Sequence, residues 1–210
     1  MIKHLKNSFD KAEKGLSKLD DYILTMEGMS GIKTRHFYNN VVDFPDSRYL
    51  EVGVYKGSSF CSAIFGNNIK ATAIDNWSQF GDAKEEFHKN LEKCRGNNYD
   101  ITVIEHDCFD VVPAYHKFNV YMYDGGHSQE DHYKSLTHFY PCLEDQFIFI
   151  VDDWNWSQVR FGVLKAIVDL KLDIIWQNSI FTSQNDETKE DKEGYWNGIT
   201  CILLKKSNEK

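Results

Sequence analysis

Two clusters of acidic residues close consecutive apolar runs in this sequence. Tyr121-Met122-Tyr123-Asp124-Gly125-Gly126-His127 ends one run, and Ile148-Phe149-Ile150-Val151-Asp152-Asp153-Trp154 ends the next. If the runs are neighbouring strands, spaced about 5 Å apart, Asp124, Asp152 and Asp153 share one small volume. Like charges that close repel strongly unless a cation or protons neutralise them. All-oxygen ligands favour a hard cation, Mg²⁺ first, with Mn²⁺ or Ca²⁺ also compatible. Strand alternation works against convergence, because it sends Asp152 and Asp153 to opposite sides and leaves one of them as a helix cap. His127 lies three residues beyond Asp124, where an imidazole can take a proton from a metal-held hydroxyl.

A second group of residues suits a nucleoside-like ligand. In Tyr49-Leu50-Glu51-Val52-Gly53-Val54-Tyr55-Lys56-Gly57-Ser58-Ser59 a strand runs through glycines into a helix, so backbone can approach a ligand closely. Glycines end many strands for steric reasons alone. Glu51, just before the turn, repels a pyrophosphate and suits a cationic ligand, and Tyr55 stands where a dinucleotide fingerprint needs its middle glycine. Asp75 ends the next strand, 22 residues past Gly53, the distance at which an acid hydrogen-bonds a ribose diol. Asp107, beside Cys108 at the end of a third strand, is placed to accept from an exocyclic amine. Capping of a local turn explains Asp75 and Asp107 equally well.

These residues need a frame that brings strand ends together. Strands are expected at 48–53, 70–75, 100–105, 118–123 and 146–152, with helices near 58–66, 79–95, 107–114, 129–139 and 156–171. Val159, Val163, Ala166, Ile167 and Leu170 form the apolar stripe of the last helix. Such alternation specifies a parallel sheet covered on both faces. The runs 173–182 and 197–205 break the pattern and read as an antiparallel pair joined by a polar, net negative, mobile loop. Ahead of the sheet, Leu5, Phe9, Ala12, Leu16, Leu19 and Ile23 recur at helical spacing over 5–24, and a second helix spans roughly 33–43.

Composition narrows the partners. The 210 residues carry 24 basic and 32 acidic side chains, a net charge of -8, the wrong sign for a protein that gains affinity by displacing counterions from nucleic acid. The longest apolar run, Phe147–Val151, is too short to span a bilayer. Five dispersed cysteines without a Cys-x-x-Cys pair read as reduced thiols. The expectation is one cytoplasmic domain acting on a small molecule, with no nucleic-acid or membrane partner. His132 and His138 have no metal-motif spacing, and His4, His36, His88 and His116 read as surface positions. Phe9, Phe37 and Tyr38 suggest apolar surface for a homodimer through the N-terminal helices.

Taken together, Glu51–Gly57, Asp75-Asn76-Trp77, Asp124-Gly125-Gly126-His127 and Asp152-Asp153 resemble the class I S-adenosylmethionine-dependent methyltransferases, and more narrowly the metal-dependent macrocin O-methyltransferase-like sugar O-methyltransferases. The resemblance covers residues 48–205. It implies a Rossmann-like, doubly wound, mostly parallel seven-stranded α/β sheet with an antiparallel C-terminal hairpin at 46–210. It also implies a helical lid at 1–45 that includes Glu27–Ser30. S-adenosylmethionine is the implied cofactor, with Glu51, Gly53, Gly57 and Ser58 at its methionine end, Asp75 at the ribose, and Asp107 and Cys108 flanking adenine. Asp124, Asp152 and Asp153 would hold Mg²⁺, and Asp124 and His127 would be catalytic. Many relatives carry an acid where this chain has Gly126. Two other functions fit the same fold: a metal-dependent hydroxylase-like enzyme and a non-catalytic cofactor-binding protein.

Overall fold

The computed structural model describes residues 1–96, 100–112, 116–184 and 186–207. Seven strands form one sheet: β1 (Arg48–Val52), β2 (Lys70–Asp75), β3 (Asp100–Glu105), β4 (Phe118–Tyr123), β5 (Leu143–Asp152), β6 (Leu172–Ile180) and β7 (Ile199–Lys206). Their order is β3-β2-β1-β4-β5-β7-β6. The first five are parallel, while β7 runs antiparallel to both β5 and β6. The expected sheet and closing hairpin are therefore present. The order reverses direction between β1 and β4, the switch point beyond which open α/β sheets bind ligands.

The helices are α1 (Ile2–Glu13), α2 (Asp21–Leu24), α3 (Ile32–Val41), α4 (Ser58–Ile64), α5 (Ala83–Cys94), α6 (Gln129–Phe139) and α7 (Ser157–Asp169). Alternating strand residues feed two apolar layers. Tyr49, Met122, Ile148 and Ile150 join residues of α1, α3, α4 and α5 on one face. Leu50, Tyr121, Tyr123, Phe147, Phe149 and Val151 join α6 and α7 on the other. Because both faces are covered, the central strands read as continuous apolar runs and not as alternating ones.

Several expectations are corrected. The stretch 5–24 is not one helix: Gly15, at φ +64°, ends α1, and Asp20 starts the single turn α2 by accepting from the Ile23 amide. Leu16 is consequently exposed. The helix expected at 79–95 starts at Ala83, and the one at 107–114 is only a 3-10 turn over Cys108–Asp110; its last two positions, 113 and 114, lie outside the described residues. Phe9, Phe37 and Tyr38 are buried within the chain, so they offer no surface to a second copy. His36 is buried too, its Nδ1 2.7 Å from the Ser17 hydroxyl. Residues 1–45 share an apolar layer with the sheet, and from the turn at 27–30 Met29 reaches the cavity at the strand ends. No described helix is long and apolar enough to cross a membrane.

Candidate active site at the carboxyl ends of the strands

A cavity of about 390 Å³ opens at the switch point, a size that suits a small-molecule ligand. Its floor begins at the turn after β1. Gly53 adopts φ +83°, and a Cβ there would lie 1.9 Å from the Asp124 carbonyl oxygen, so the crossing of this turn with the end of β4 requires glycine. Tyr55 and Trp77 take the same left-handed region without being glycine, at φ +48° and +49°, a conformation that costs of order 1 kcal/mol or more each and must be held by its surroundings.

Asp75 does the holding. Its Oδ2 accepts the amides of Val54 and Tyr55, both at 2.9 Å, and its Oδ1 accepts that of Trp77 at 2.7 Å. Two of the turn amides that could cradle a pyrophosphate are thus committed to a carboxylate. A carboxylate oxygen takes about two hydrogen bonds, so Oδ1 keeps one for a ligand hydroxyl. The capping and ligand-binding readings of Asp75 are compatible. Asp107 is similar: Oδ1 caps the 3-10 turn by accepting the Phe109 amide at 3.0 Å, while the residue lines the cavity beside Cys108. Burial, with Asp107 next to it, pushes the Cys108 thiol up to about 12, so it stays neutral.

Glu51, Gly57 and Ser58, also expected at the cofactor, do not line the main cavity. Glu51 is fully buried behind the glycine turn, accepting from the Tyr49 and Ser59 hydroxyls. Burial raises its carboxyl to about 7 despite those two bonds. Gly57, at φ +91°, packs against Phe87. Ser58 lines an adjoining small cavity with Tyr38, Asp124 and Asp152, which shares Gly53, Tyr55 and Asp124 with the main one, and its hydroxyl is 2.9 Å from that of Ser30.

The acidic residues after β4 and β5 separate as strand alternation requires. Asp152 falls on the side of Ile148 and Ile150, toward Tyr38; both are almost wholly buried, and Asp152 Oδ1 and the Tyr38 hydroxyl lack protein partners. Asp153, at φ +54°, turns the other way. Its Oδ2 is 3.2 Å from His127 Nδ1, and its Oδ1 accepts from Asn197 Nδ2 at 2.7 Å. One donor atom each from Asp124, His127 and Asp153 lies within 4.8 Å of the others. The set that converges is therefore two aspartates and a histidine, with Asp152 in the adjoining cavity.

The electrostatics follow. Burial first, then the Asp153 charge, holds the Asp124 carboxyl well above the usual range. Burial, then Asp124 and Asp153, does the same to Asp152. Burial raises Asp153 as well, opposed by His127 and Asn197. No hydrogen bond to the Asp124 carboxylate is found among the described residues. One buried and one half-buried carboxylate facing an exposed imidazole fit a divalent cation, with an imidazole donor suiting Mn²⁺ or another transition metal as well as the oxygens suit Mg²⁺.

Sequence reasoning missed Asp131. A Cβ on Gly126 would lie 2.7 Å from Asp131 Oδ2, so an acid from α6 occupies the space next to Gly126. Its spacing of three from Ser128 is the signature of the capping box it forms, which was the available signal. The aromatic wall of Tyr55 and Phe80, in edge contact at 5.0 Å between centroids, and the residue Asn197 carried no signal in one dimension.

A family whose description is a methyltransferase domain matches residues 50–154. No protein of curated function matches the chain. Among solved structures, the chain is similar to SMU.776, a candidate methyltransferase complexed with SAH (14% identity, TM-score 0.57, 83% of this chain and 48% of that one). It is also similar to cofactor-bound Rv0187 from MTB (14%, 0.57, 97% and 90%) and to the O-methyltransferase from Bacillus cereus in complex with SAH (12%, 0.56, 97% and 91%). The chain spans about half the length of SMU.776. At these identities the likeness is one of fold.

Proposed function

The chain belongs to the class I S-adenosylmethionine-dependent methyltransferases, and from that premise we propose that it methylates a hydroxyl oxygen of a small, sugar-like acceptor with the help of a divalent cation. One observation carries the reading. Asp75, Asp107, Asp124 and Asp131 all line the main cavity, while no Lys or Arg does among the described residues. That lining attracts a sulfonium cation and repels a pyrophosphate.

When bound, the cofactor would supply an electrophilic methyl group and a cation such as Mg²⁺ would acidify the acceptor hydroxyl. Asp124 and Asp153 are the ligands the reading assigns. Asp152, the third ligand expected from the resemblance, is the candidate for the next position, because the one free nitrogen of His127 is reserved for the acceptor proton. Asp75 Oδ1 takes a ribose hydroxyl, and the unused Asp107 oxygen takes the adenine amine. The imidazole of His127, oriented by Asp153, receives the acceptor proton at Nε2. Alignment of acceptor oxygen against the methyl group is the main source of rate. At the mouth, Gln79 and Phe80 offer an amide and an aromatic face to a hydroxylated ring.

The hydroxylase alternative wants a histidine-rich metal shell, and the convergent set contains one imidazole. The non-catalytic alternative rested on Gly126, beside which Asp131 supplies a carboxylate. Calorimetric titration with SAH, with and without Mg²⁺ and with NAD as the comparator, tests the proposal. SAH should bind in both conditions and NAD in neither. Release of SAH from S-adenosylmethionine should then need both the cation and a hydroxylated acceptor. Tight NAD binding, or undiminished turnover in excess EDTA, would reject it.

A further inference from the structure

The connector between β6 and β7 is tied to the catalytic cluster through two buried amides. Asn155 Nδ2 donates to Thr182 Oγ1 and to Asn197 Oδ1, each at 3.0 Å, while Asn155 Oδ1 accepts the Thr182 amide at 3.0 Å. Asn197 Oδ1 also accepts the Lys189 amide at 3.0 Å. Its Nδ2 donates to Asp153 Oδ1 at 2.7 Å, and the other Asp153 oxygen meets His127 Nδ1 at 3.2 Å. Both asparagines are at most 2% exposed. The expected mobile loop is therefore anchored at its ends.

The donors and acceptors leave the Asn197 amide one orientation. Turned over, it would set its NH₂ against the Asn155 NH₂ and the Lys189 N–H, and its oxygen against a carboxylate. In the orientation present, every contact pairs a donor with an acceptor. Gly198 makes the arrangement possible: at φ +84°, a Cβ there would lie 2.6 Å from Asn155 Oδ1.

We infer that Asn197 is a positioning residue, which fixes the Asp153 carboxylate so that its second oxygen stays 3.2 Å from His127 Nδ1, a contact that favours a proton on Nδ1 and leaves Nε2 as the proton acceptor facing the substrate. The inference rests on the reading of His127 as the base. Asn197 touches neither cofactor nor acceptor in this scheme; it acts through Asp153, as the outer partners of catalytic and metal-binding groups do. Nothing in the sequence marks it, since it arrives on the strand-end turn before β7, 44 residues beyond its partner.

The test compares two variants of similar cost to the connector. Asn197→Leu removes the bond to Asp153 together with the anchor bonds, whereas Asn155→Leu removes anchor bonds alone. Both should lower the melting temperature. The discriminating readouts are the ¹⁵N resonances of the His127 ring, at a pH where the ring is neutral, and Mn²⁺ affinity by electron paramagnetic resonance. Wild type and Asn155→Leu should show the Nδ1–H tautomer and Mn²⁺ affinities within about threefold of each other. Asn197→Leu should show a mixture of tautomers and bind Mn²⁺ about 10–100-fold more weakly, with SAH affinity unchanged. If it does not fold, Asn197→Ser, too short to reach Asp153, is read the same way. An unchanged tautomer and Mn²⁺ affinity in the Asn197 variant would overturn the inference, as would equal losses in the Asn155 variant. Failure of the underlying reading looks different: His127→Ala would turn over at the wild-type rate while the tautomer result stood.

Discussion

The two halves of the site handle negative charge in opposite ways. Beyond β2, Asp75 has three backbone amides on its carboxylate, and it organises the turn it faces. Beyond β4 and β5, Asp124 and Asp152 have lost water without gaining comparable donors, and burial followed by neighbouring carboxylates (Asp153 for Asp124, Asp124 and Asp153 for Asp152) raises both. A carboxylate satisfied by the fold makes a rigid binding floor. Carboxylates left short of partners make a place where a proton or a cation must arrive. In the proposed function, the first is a finished cofactor half and the second an incomplete transfer half, and experiments can break that contrast from either side.

The largest expected effect is on the transfer half. His127→Ala should lower the rate of methyl transfer by roughly 10²–10⁴-fold, the usual contribution of a general base, and leave SAH affinity within a few-fold of wild type. Excess EDTA should abolish turnover with equally little effect on SAH. Steady-state kinetics beside calorimetry reads both. A loss of SAH affinity parallel to the loss of rate would mean that the two halves are one electrostatic unit.

Glu51 lies between the halves and tests how much charge the transfer half tolerates, since its own charge also raises Asp124 and Asp152. Its folded-state carboxyl sits near 7 against an ordinary value of 4.5. Protons therefore bind the folded state more tightly, and stability falls as pH rises from about 4.5 through 7. Glu51→Gln should remove that fall, gaining up to about 3 kcal/mol above pH 8 and nothing below pH 4. Urea denaturation at the two extremes measures it. A gain independent of pH would point to packing and not to charge.

On the cofactor half, Asp75→Ala should weaken SAH binding by roughly 1–3 kcal/mol, the cost of charge-assisted bonds left unmade. It should also lower stability, because the amides of Val54, Tyr55 and Trp77 lose their shared acceptor. Unchanged affinity with reduced stability would restrict Asp75 to its structural role.

How much of this was readable in one dimension depends on where each residue's partners lie. The sheet was legible because alternating strands and helices carry their own periodicity, down to the Val159–Ile167 stripe of α7. Asp75 and Asp124 were legible because strand-end acids face the switch point whatever the details. The split between Asp152 and Asp153 was visible only as a conflict between alternation and convergence; Asp152 stays on the strand face of Ile148 and Ile150, while Asp153 leaves the strand at φ +54° and turns to His127. Helix starts were misplaced where a capping side chain or a left-handed glycine decides, as at Asp20 and Gly15. Asn197 and the burial of Phe37 and Tyr38 depend on contacts across long stretches of chain, which local spacing does not encode.

The smallest expected effect concerns Asp131, the acid beside Gly126. Ser128 accepts the Asp131 amide and donates its hydroxyl to Asp131 Oδ2 at 2.6 Å, so the capping box that starts α6 also aims the carboxylate at the cavity. Ser128→Ala removes the cap and should cost about 1 kcal/mol, or roughly 2–4 °C in melting temperature for a chain of this length. The informative part is what happens to ligands. With the hydroxyl gone, Asp131 Oδ2 keeps only the backbone amide of residue 128 at 3.3 Å, so its charge is held less firmly in the space next to Gly126. If that charge helps to hold the sulfonium, S-adenosylmethionine should lose a few-fold in affinity while neutral SAH loses almost nothing. Equal losses for both would assign Asp131 to the helix cap alone and leave the transfer half to the acids at the ends of β4 and β5, Asp124, Asp152 and Asp153.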